Sequence, residues 1–324
     1  MSPCEPVTVR EAFAVPGVSS RGVVEISDLV VDYDPDTLAR RDVRKADAIE
    51  RARELPRRAR RIVGALPSDG EYLDRAAVDG ILLRSHLELQ RLHEEFRVGD
   101  VIRAALARVL DLVRAIAPPP IRVVDLGCGL GFVIRWLAAR GRLGDDVELV
   151  GADYNGALIA AAQRLADAER LPCRFAVANA FRLAEPAHVV MSTGVLHHFR
   201  GAALDAVFAE HERSPALAFL HADIRPGPLA SLGSWIFHQA RMREPLARFD
   251  GYWSAVRAHD AAALRAAIAR GAPSFALGML DTRASLPSLL QIFQLAIGVR
   301  APHAAALDAA FAPLGRRYAP AVPR

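Results

Sequence analysis

The stretch VVDLGCGLGF, Val123–Phe132, decides the fold class of this 324-residue chain. A short apolar run ends in the acid Asp125, and a turn containing Gly127, Gly129 and Gly131 leads directly into a segment with helical spacing. Glycine lets the backbone approach a ligand closely and adopt a positive φ. A helix N-terminus presents N–H groups that lack helical partners. The stretch therefore predicts a ligand-binding strand–turn–helix unit.

Two classes of ligand are compatible with such a turn. The dinucleotide fingerprint is Gly-x-Gly-x-x-Gly, whose third glycine permits close packing of the helix on the strand. Here the third glycine falls one position early, at Gly131, and Phe132 occupies the place it should hold. The spacing disfavours a nicotinamide-dependent oxidoreductase, which stays open as a distant alternative.

Short apolar runs alternate with helical segments after this stretch. Strand–helix alternation predicts a doubly wound, parallel α/β sheet covered on both faces. The predicted strands are 121–125, 147–152, 173–178, 188–192 and 215–222, followed by inserted helices over about 227–270 and a closing hairpin, Phe275–Leu280 with Leu289–Val299.

The N-terminal third follows a different pattern. Residues 1–36 contain two short alternating runs, 22–26 and 29–33, which suggest a hairpin or arm. From 37 to 117 the spacing is helical, with Val78, Leu82, Ser85, Leu89, Leu92 and Phe96 on one helix face. Three prolines at 118–120 end this region. We expect an N-terminal arm and helical cap over 1–118 and a catalytic domain over 119–324.

Asp125–Gly131 resembles motif I of the class I S-adenosylmethionine-dependent methyltransferases. The resemblance implies a Rossmann-like sheet of seven strands and S-adenosyl-L-methionine as cofactor. In that family the glycine turn wraps the methionine part of the cofactor. The implied cofactor residues in this turn are Asp125, Gly127, Cys128, Gly129 and Gly131.

Three later strand ends continue the resemblance. The second strand ends in Asp153, whose carboxylate the resemblance assigns to both ribose hydroxyls, a pairing that suits a bidentate acceptor. Tyr154 fits the position that packs on adenine. Asn179 stands where relatives commonly have an aspartate that contacts the adenine amino group. Ala180 and Thr193, after the third strand and at the end of the fourth, complete the expected cofactor site.

His197 and His198 follow the fourth strand, in a segment similar to the Leu-His-His of many small-molecule methyltransferases. A histidine with a pKa near neutrality can act as general base toward a hydroxyl acceptor. Adjacent residues point in different directions, so we expect at most one to face the acceptor. A packing or hydrogen-bonding role for both remains open.

Several methyltransferase classes are disfavoured by missing motifs. Residues 192–195 lack the Asn/Asp-Pro-Pro-aromatic motif of adenine amino-methylating enzymes, and Asp223 is followed by Ile224 rather than by the asparagine of metal-dependent catechol methyltransferases. We therefore expect no metal. His86 and His93, seven residues apart on one predicted helix face, are too far apart for one metal; a solvated face is predicted, and a pocket-lining role stays open.

The charge pattern predicts no nucleic-acid partner. The net charge is only +4, and Lys45 is the one lysine among 41 basic residues. The arginine-rich run Arg51–Arg61 therefore reflects composition and predicts a solvated helix face.

The three cysteines are scattered, and no signal peptide or spanning segment is evident. We expect a cytoplasmic protein without a membrane partner, and a homodimer remains open.

The insertion suggests the acceptor. It carries Trp235 and Trp253 in a chain with 6% aromatic residues, and Arg248–Gly251 resembles bacterial methyltransferases of secondary metabolism. We expect methyl transfer to an apolar or aromatic small molecule held between the insertion and the N-terminal helices. The alternatives are that these aromatics only pack the insertion, and that the protein binds S-adenosylmethionine without methyltransferase activity.

Overall fold

The computed structural model describes residues 25–34, 36–183, 186–282 and 293–320. The N-terminal unit is mainly helical, as predicted. Its helices are α1 (Ile26–Val30), α2 (Lys45–Arg51), α3 (Arg57–Gly64), α4 (Arg75–Glu95) and α5 (Val98–Arg114). Two short antiparallel hairpins join them, β1 (Asp32–Tyr33) with β2 (Arg40–Arg41) and β3 (Ser68–Asp69) with β4 (Tyr72–Leu73).

The start of this unit differs from the prediction. The run 22–26 begins outside the described residues, and Ile26–Val30 forms a helix rather than a strand. Its buried residues Ile26, Leu29 and Val30 have helical spacing, which the short alternation concealed. Only β1, at the end of the second run, lies in a hairpin. The solvated arginine face is confirmed, because α3 buries Ala59 and Val63 and exposes its four arginines.

A mixed sheet forms the rest of the structure. Its strands are β5 (Ile121–Leu126), β6 (Val147–Asp153), β7 (Cys173–Val177), β8 (Val189–Thr193), β9 (Ala218–Ile224), β10 (Phe275–Thr282), β11 (Phe293–Arg300) and β12 (Tyr318–Ala319). The helices of this part are α6 (Phe132–Arg140), α7 (Gly156–Glu169), α8 (Ala202–Arg213), α9 (Pro228–Arg241), α10 (Pro245–Arg257), α11 (Ala261–Gly271) and α12 (Ala304–Phe311).

The strand order is β12-β10-β11-β9-β8-β5-β6-β7, and β5 to β9 run parallel. The five predicted parallel strands are thereby confirmed, and the helices α9, α10 and α11 lie between β9 and β10 in the chain. β10 and β11 pair antiparallel, as expected for the closing hairpin, although residues 289–292 of its second run lie outside the described residues. The sheet has eight strands rather than seven, because Tyr318–Ala319 adds a two-residue edge strand to β10.

This topology places a crevice at the carboxyl ends of the central strands. The chain proceeds outward from β5 through β6 to β7, then crosses to β8 and β9 on the other side of β5. Ligands of open α/β sheets bind where the strand order reverses in this way. The N-terminal helices pack in two different places. Helix α5 contributes buried residues to the core of the sheet, whereas α1 to α4 share a separate apolar core with Leu246 and Phe249 of α10.

No helix among the described residues is long and apolar enough to cross a membrane.

Candidate functional site

A cavity of about 1220 Å³ lies at the carboxyl ends of the central strands. Its walls come from the glycine turn after β5, the ends of β6 and β8, helix α4 and the inserted helices α9 and α10. Pockets for one small ligand typically measure about 300–1,000 Å³. The cavity therefore has room for two ligands side by side.

The glycine turn forms one end of this cavity. Gly127, Gly129 and Gly131 have φ values of 65°, 55° and 67°, which only glycine adopts readily. Gly127, Cys128 and Gly129 line the cavity, but Gly131 does not. A Cβ at Gly131 would collide with the ring of Phe175 on β7. A Cβ at Gly127 or Gly129 would likewise collide with Val195 or His86, so all three glycines allow close packing of the turn, and only the first two also line the cavity.

Two buried carboxylates lie beside the turn. Asp153 Oδ2 accepts the Gly129 N–H at 2.9 Å, and its Oδ1 accepts the Asn155 N–H at 2.9 Å. Asp125 Oδ1 is buried and has no hydrogen-bond partner among the described residues. Burial, and then the charge of Asp153, raise the pKa of Asp125 well above its usual value. Burial also raises the pKa of Asp153, against the hydrogen bonds it accepts. Such a pair favours a ligand that brings positive charge.

The other predicted cofactor residues also line the cavity. Tyr154 packs edge-on against Tyr33, with 5.0 Å between ring centroids. Thr193 Oγ1 is buried without a hydrogen-bond partner in the described chain, so it can bond a ligand. Asn179 Oδ1 already accepts the Phe181 N–H at 2.9 Å, and the adjacent Ala180 contributes to the cavity wall. Sequence reasoning missed Tyr33, because the short N-terminal hairpin carries no motif.

His86 and His93 do not lie on a solvated face, contrary to the sequence prediction. Both line the cavity from α4, and burial lowers the pKa of His93 to about 4, with a smaller effect from His86. His86 Nδ1 donates to the Leu82 carbonyl at 2.9 Å, and its ring lies next to Gly129. Their spacing of three or four from Leu89 and Phe96, on the same apolar stripe, was the available signal.

The two adjacent histidines both line the cavity, with 4.5 Å between their ring centroids, so the expectation that they point in different directions is wrong; they nevertheless have different partners. His197 is 4% exposed, and its Nδ1 lies 2.8 Å from Asp223 Oδ1, while its backbone N–H donates to Oδ2 of the same carboxylate at 2.9 Å. Burial alone would lower the pKa of His197, but the carboxylates of Asp223 and Glu25 outweigh it and raise that pKa. His198 Nδ1 instead lies 3.1 Å from Arg257 Nη2 and therefore accepts a hydrogen bond.

Glu25, His197 and His198 offer three ligand atoms within 4.8 Å of one another, a set that resembles a two-histidine, one-carboxylate metal site. However, Arg257 Nη2 lies 2.7 Å from Glu25 Oε1 and 3.1 Å from His198 Nδ1. Burial would raise the pKa of Glu25, but Arg257 and the two histidines lower it to about 2. The guanidinium thus supplies the positive charge of this cluster, and the absence of a metal stays a prediction.

The far end of the cavity is apolar. Its walls include Leu89 of α4, Phe96 directly after α4, and Phe237, Leu246 and Ala247 of the insertion. The cavity therefore continues between the insertion and the N-terminal helices.

The expected contribution of the two tryptophans to this wall is wrong. Trp235 is 48% exposed, Trp253 packs against Phe249 in the core shared with the N-terminal unit, and neither lines the cavity. The periodicity of the insertion did not show which of its apolar faces is buried.

Comparison with known proteins supports the interpretation of the turn. Residues 123–215 match a family described as a methyltransferase domain. No curated protein matches the sequence.

Solved structures with a similar fold are distant. A magnesium protoporphyrin IX methyltransferase from Synechocystis PCC 6803, solved with bound SAH, is 18% identical and has a TM-score of 0.45, over 75% of this chain and 93% of its own. A TehB-like SAM-dependent methyltransferase from Corynebacterium glutamicum is 15% identical and has a TM-score of 0.42, over 67% of this chain and 98% of its own. The plantazolicin methyltransferase BamL is 13% identical and has a TM-score of 0.47, over 69% of this chain and 96% of its own.

The matched residues run from β5 through the glycine turn, the acid that ends β6 and the histidines after β8, all of which line the cavity. Residues 123–215 are therefore similar to a methyltransferase domain, and this similarity covers the glycine turn and the ends of β6 and β8.

Proposed function

We propose that this protein transfers a methyl group from S-adenosylmethionine to a small apolar or aromatic acceptor. The observation that carries the proposal is the buried pair Asp125 and Asp153 beside the glycine turn, with one carboxylate oxygen of Asp125 lacking a partner in the described chain. S-adenosylmethionine brings an ammonium and a sulfonium to such a site. A nicotinamide dinucleotide would bring a pyrophosphate next to two carboxylates, which is unfavourable.

The residues present fit this cofactor. Asp125 Oδ1 and Thr193 Oγ1 are buried polar atoms without described partners, and such atoms in native proteins usually have one. Each oxygen of Asp153 accepts one backbone hydrogen bond and retains a lone pair for a ribose hydroxyl. Tyr154 offers an aromatic face or edge to adenine. When bound, the cofactor supplies a methyl group on a sulfonium that is already activated for in-line displacement.

The protein's remaining task is to orient the acceptor and to accept its proton. Asp223 holds the Nδ1–H of His197, which leaves Nε2 as the acceptor atom. His197 lines the cavity, and its Nε2 lies 3.8 Å from Glu25 Oε1, too far for a hydrogen bond between them. A hydroxyl acceptor in the apolar part of the cavity can donate to Nε2, so His197 acts as general base. His198 is occupied by Arg257 and takes a positioning role.

Two measurements on the purified protein test the proposal. Calorimetry should detect binding of S-adenosylhomocysteine, and incubation of the protein with methyl-labelled S-adenosylmethionine and a metabolite extract should yield a labelled product in the mass spectrum. Binding without any labelled product would favour the cofactor-binding alternative. Tight binding of a nicotinamide dinucleotide and none of S-adenosylhomocysteine would overturn the assignment. A cytoplasmic location and a homodimer stay predictions.

Gly129→Val is expected to abolish detectable S-adenosylhomocysteine binding while the protein stays folded. The residue has a φ of 55°, and its Cβ would lie 2.5 Å from His86 Cδ2, so a valine displaces either the turn or the helix that covers it. Calorimetry measures the affinity and circular dichroism the folding. Gly64→Val is the matched control, since a Cβ there meets no atom within 4 Å. Wild-type affinity in Gly129→Val would show that the turn does not bind the cofactor.

A further inference from the structure

Helix α9 separates the apolar part of the cavity from solvent. Ala230, Gly233, Ser234, Phe237 and His238 line the cavity from one side of this helix. The other side carries Leu232, Trp235 and Ile236, which are 55%, 48% and 53% exposed. A helix at the surface of a soluble protein normally has a polar outer face. Helix α9 is instead apolar on both sides.

The outer face of α9, defined as Leu232, Trp235 and Ile236, differs from the other exposed apolar positions. These three are the most exposed large apolar side chains of the described chain, and they lie within one turn of a single helix. Single exposed apolar residues are ordinary, whereas a cluster marks an interaction surface. None of these three side chains lines the cavity, so binding of a ligand there does not account for their exposure.

The arginine-rich helix α3 borders this outer face through Arg58. Arg58 Nη1 on α3 donates to Gln239 Oε1 at 3.0 Å, and Gln239 is three or four residues beyond Trp235 and Ile236 on the same side of α9. Arg57, Arg60 and Arg61 of α3 are exposed as well, and α3 contains no acidic residue. The partner of this surface therefore combines an apolar layer with negative charge.

We propose that the outer face of α9 docks on an anionic phospholipid bilayer, with the arginines of α3 on the headgroups. Tryptophan, leucine and isoleucine next to basic residues are typical of helices that lie in the membrane interface without crossing it. In an isologous contact between two copies, the same patch would meet itself and bring the arginine borders together. That arrangement is less favourable than an anionic lipid surface. The sequence expectation of no membrane partner considered only spanning segments.

This docking also specifies the acceptor, and here it rests on the proposed function. Because α9 is the wall between the outer face and the apolar part of the cavity, an acceptor dissolved in the bilayer has a short path to the site once the helix is seated on lipid. We infer that the acceptor is an amphiphile that partitions into membranes and carries its methylated atom near the polar end that reaches His197.

Vesicle flotation of the full-length protein tests the docking. We expect binding to vesicles of equimolar phosphatidylcholine and phosphatidylglycerol, weaker binding to phosphatidylcholine alone, and loss of binding at high salt. The double variant Leu232→Ser/Ile236→Ser should bind about tenfold more weakly or worse, because two apolar anchors are lost. Ile116→Ser is the matched control. That side chain is 39% exposed, but it lies just before the amino end of β5, whereas α9 covers the cavity at the carboxyl ends of the strands.

Two further variants locate the contact. Replacing the four arginines of α3 by glutamine should weaken binding to anionic vesicles, whereas Arg140→Gln, an exposed arginine at the end of α6, should not. Brominated lipid should quench tryptophan fluorescence, and Trp235→Phe should remove most of that quenching while Trp136 and Trp253 remain.

Failure of the membrane docking can be distinguished from failure of the proposed methyltransferase function. S-adenosylhomocysteine binding is measured for every variant without vesicles and should stay at the wild-type value. Intact cofactor binding with no flotation overturns the docking alone, and flotation without cofactor binding overturns the proposed function alone. The wild type could instead form a concentration-dependent dimer and not bind vesicles. If the Leu232→Ser/Ile236→Ser variant abolished that dimer, this face would be assigned to a second copy of the chain.

Discussion

Asp153→Ala is expected to weaken S-adenosylhomocysteine binding by about two orders of magnitude or more. In the proposed function, the variant removes a charged acceptor for two ribose hydroxyls, each worth about 1.5–3 kcal/mol. It also leaves the N–H groups of Gly129 and Asn155 without their present acceptor, so the glycine turn loses the contact that orders it against β6. Isothermal calorimetry of the variant and the wild type gives the two affinities directly.

Two controls separate ligand contact from turn geometry. Asp153→Asn keeps a carbonyl oxygen for one backbone donor and should bind better than the alanine variant but worse than the wild type. Asp167→Ala, an exposed acid on α7, should bind like the wild type. Unchanged affinity of Asp153→Ala, at an unchanged melting temperature, would remove this carboxylate from the site.

That the glycine turn and the ends of β6 and β8 meet at one cavity could be predicted from sequence, because each of these features is local. Each of its residues lies at or just after the end of a buried parallel strand, and such strands are visible as short apolar runs. Parallel topology then brings the strand ends together without further information. Gly131 shows the limit of this reasoning, since the motif assigns it to the cofactor while the structure packs it against Phe175.

The cluster around His197 could not be predicted in the same way. Glu25, Asp223 and Arg257 come from distant parts of the chain and meet only because α1 and α10 pack over the end of the sheet. The orientation of α9 was equally hidden, because both of its faces are apolar and periodicity does not say which one faces the cavity. The edge strand Tyr318–Ala319 is too short to leave any pattern.

Asp223→Asn is expected to lower methyl transfer by about 10²- to 10⁴-fold, the usual contribution of a general base. The carboxylate fixes the Nδ1–H form of His197 and stabilises the imidazolium that forms when Nε2 takes the acceptor proton. An asparagine keeps the shape but loses the charge. Initial rates are measured with the acceptor identified by methyl labelling, and His197→Asn should give a loss of similar size.

The pH profile distinguishes this role from a structural one. His197 must be neutral to accept a proton, and Asp223 and Glu25 raise its pKa, so the rate should fall as the pH drops through that raised value. Asp223→Asn removes one raising charge, so the acid limb should move to lower pH while the plateau rate falls. Asp145→Asn, an exposed acid, should leave both unchanged. A lower plateau with an unmoved acid limb would mean that Asp223 only supports the packing of the turn and that another group takes the acceptor proton.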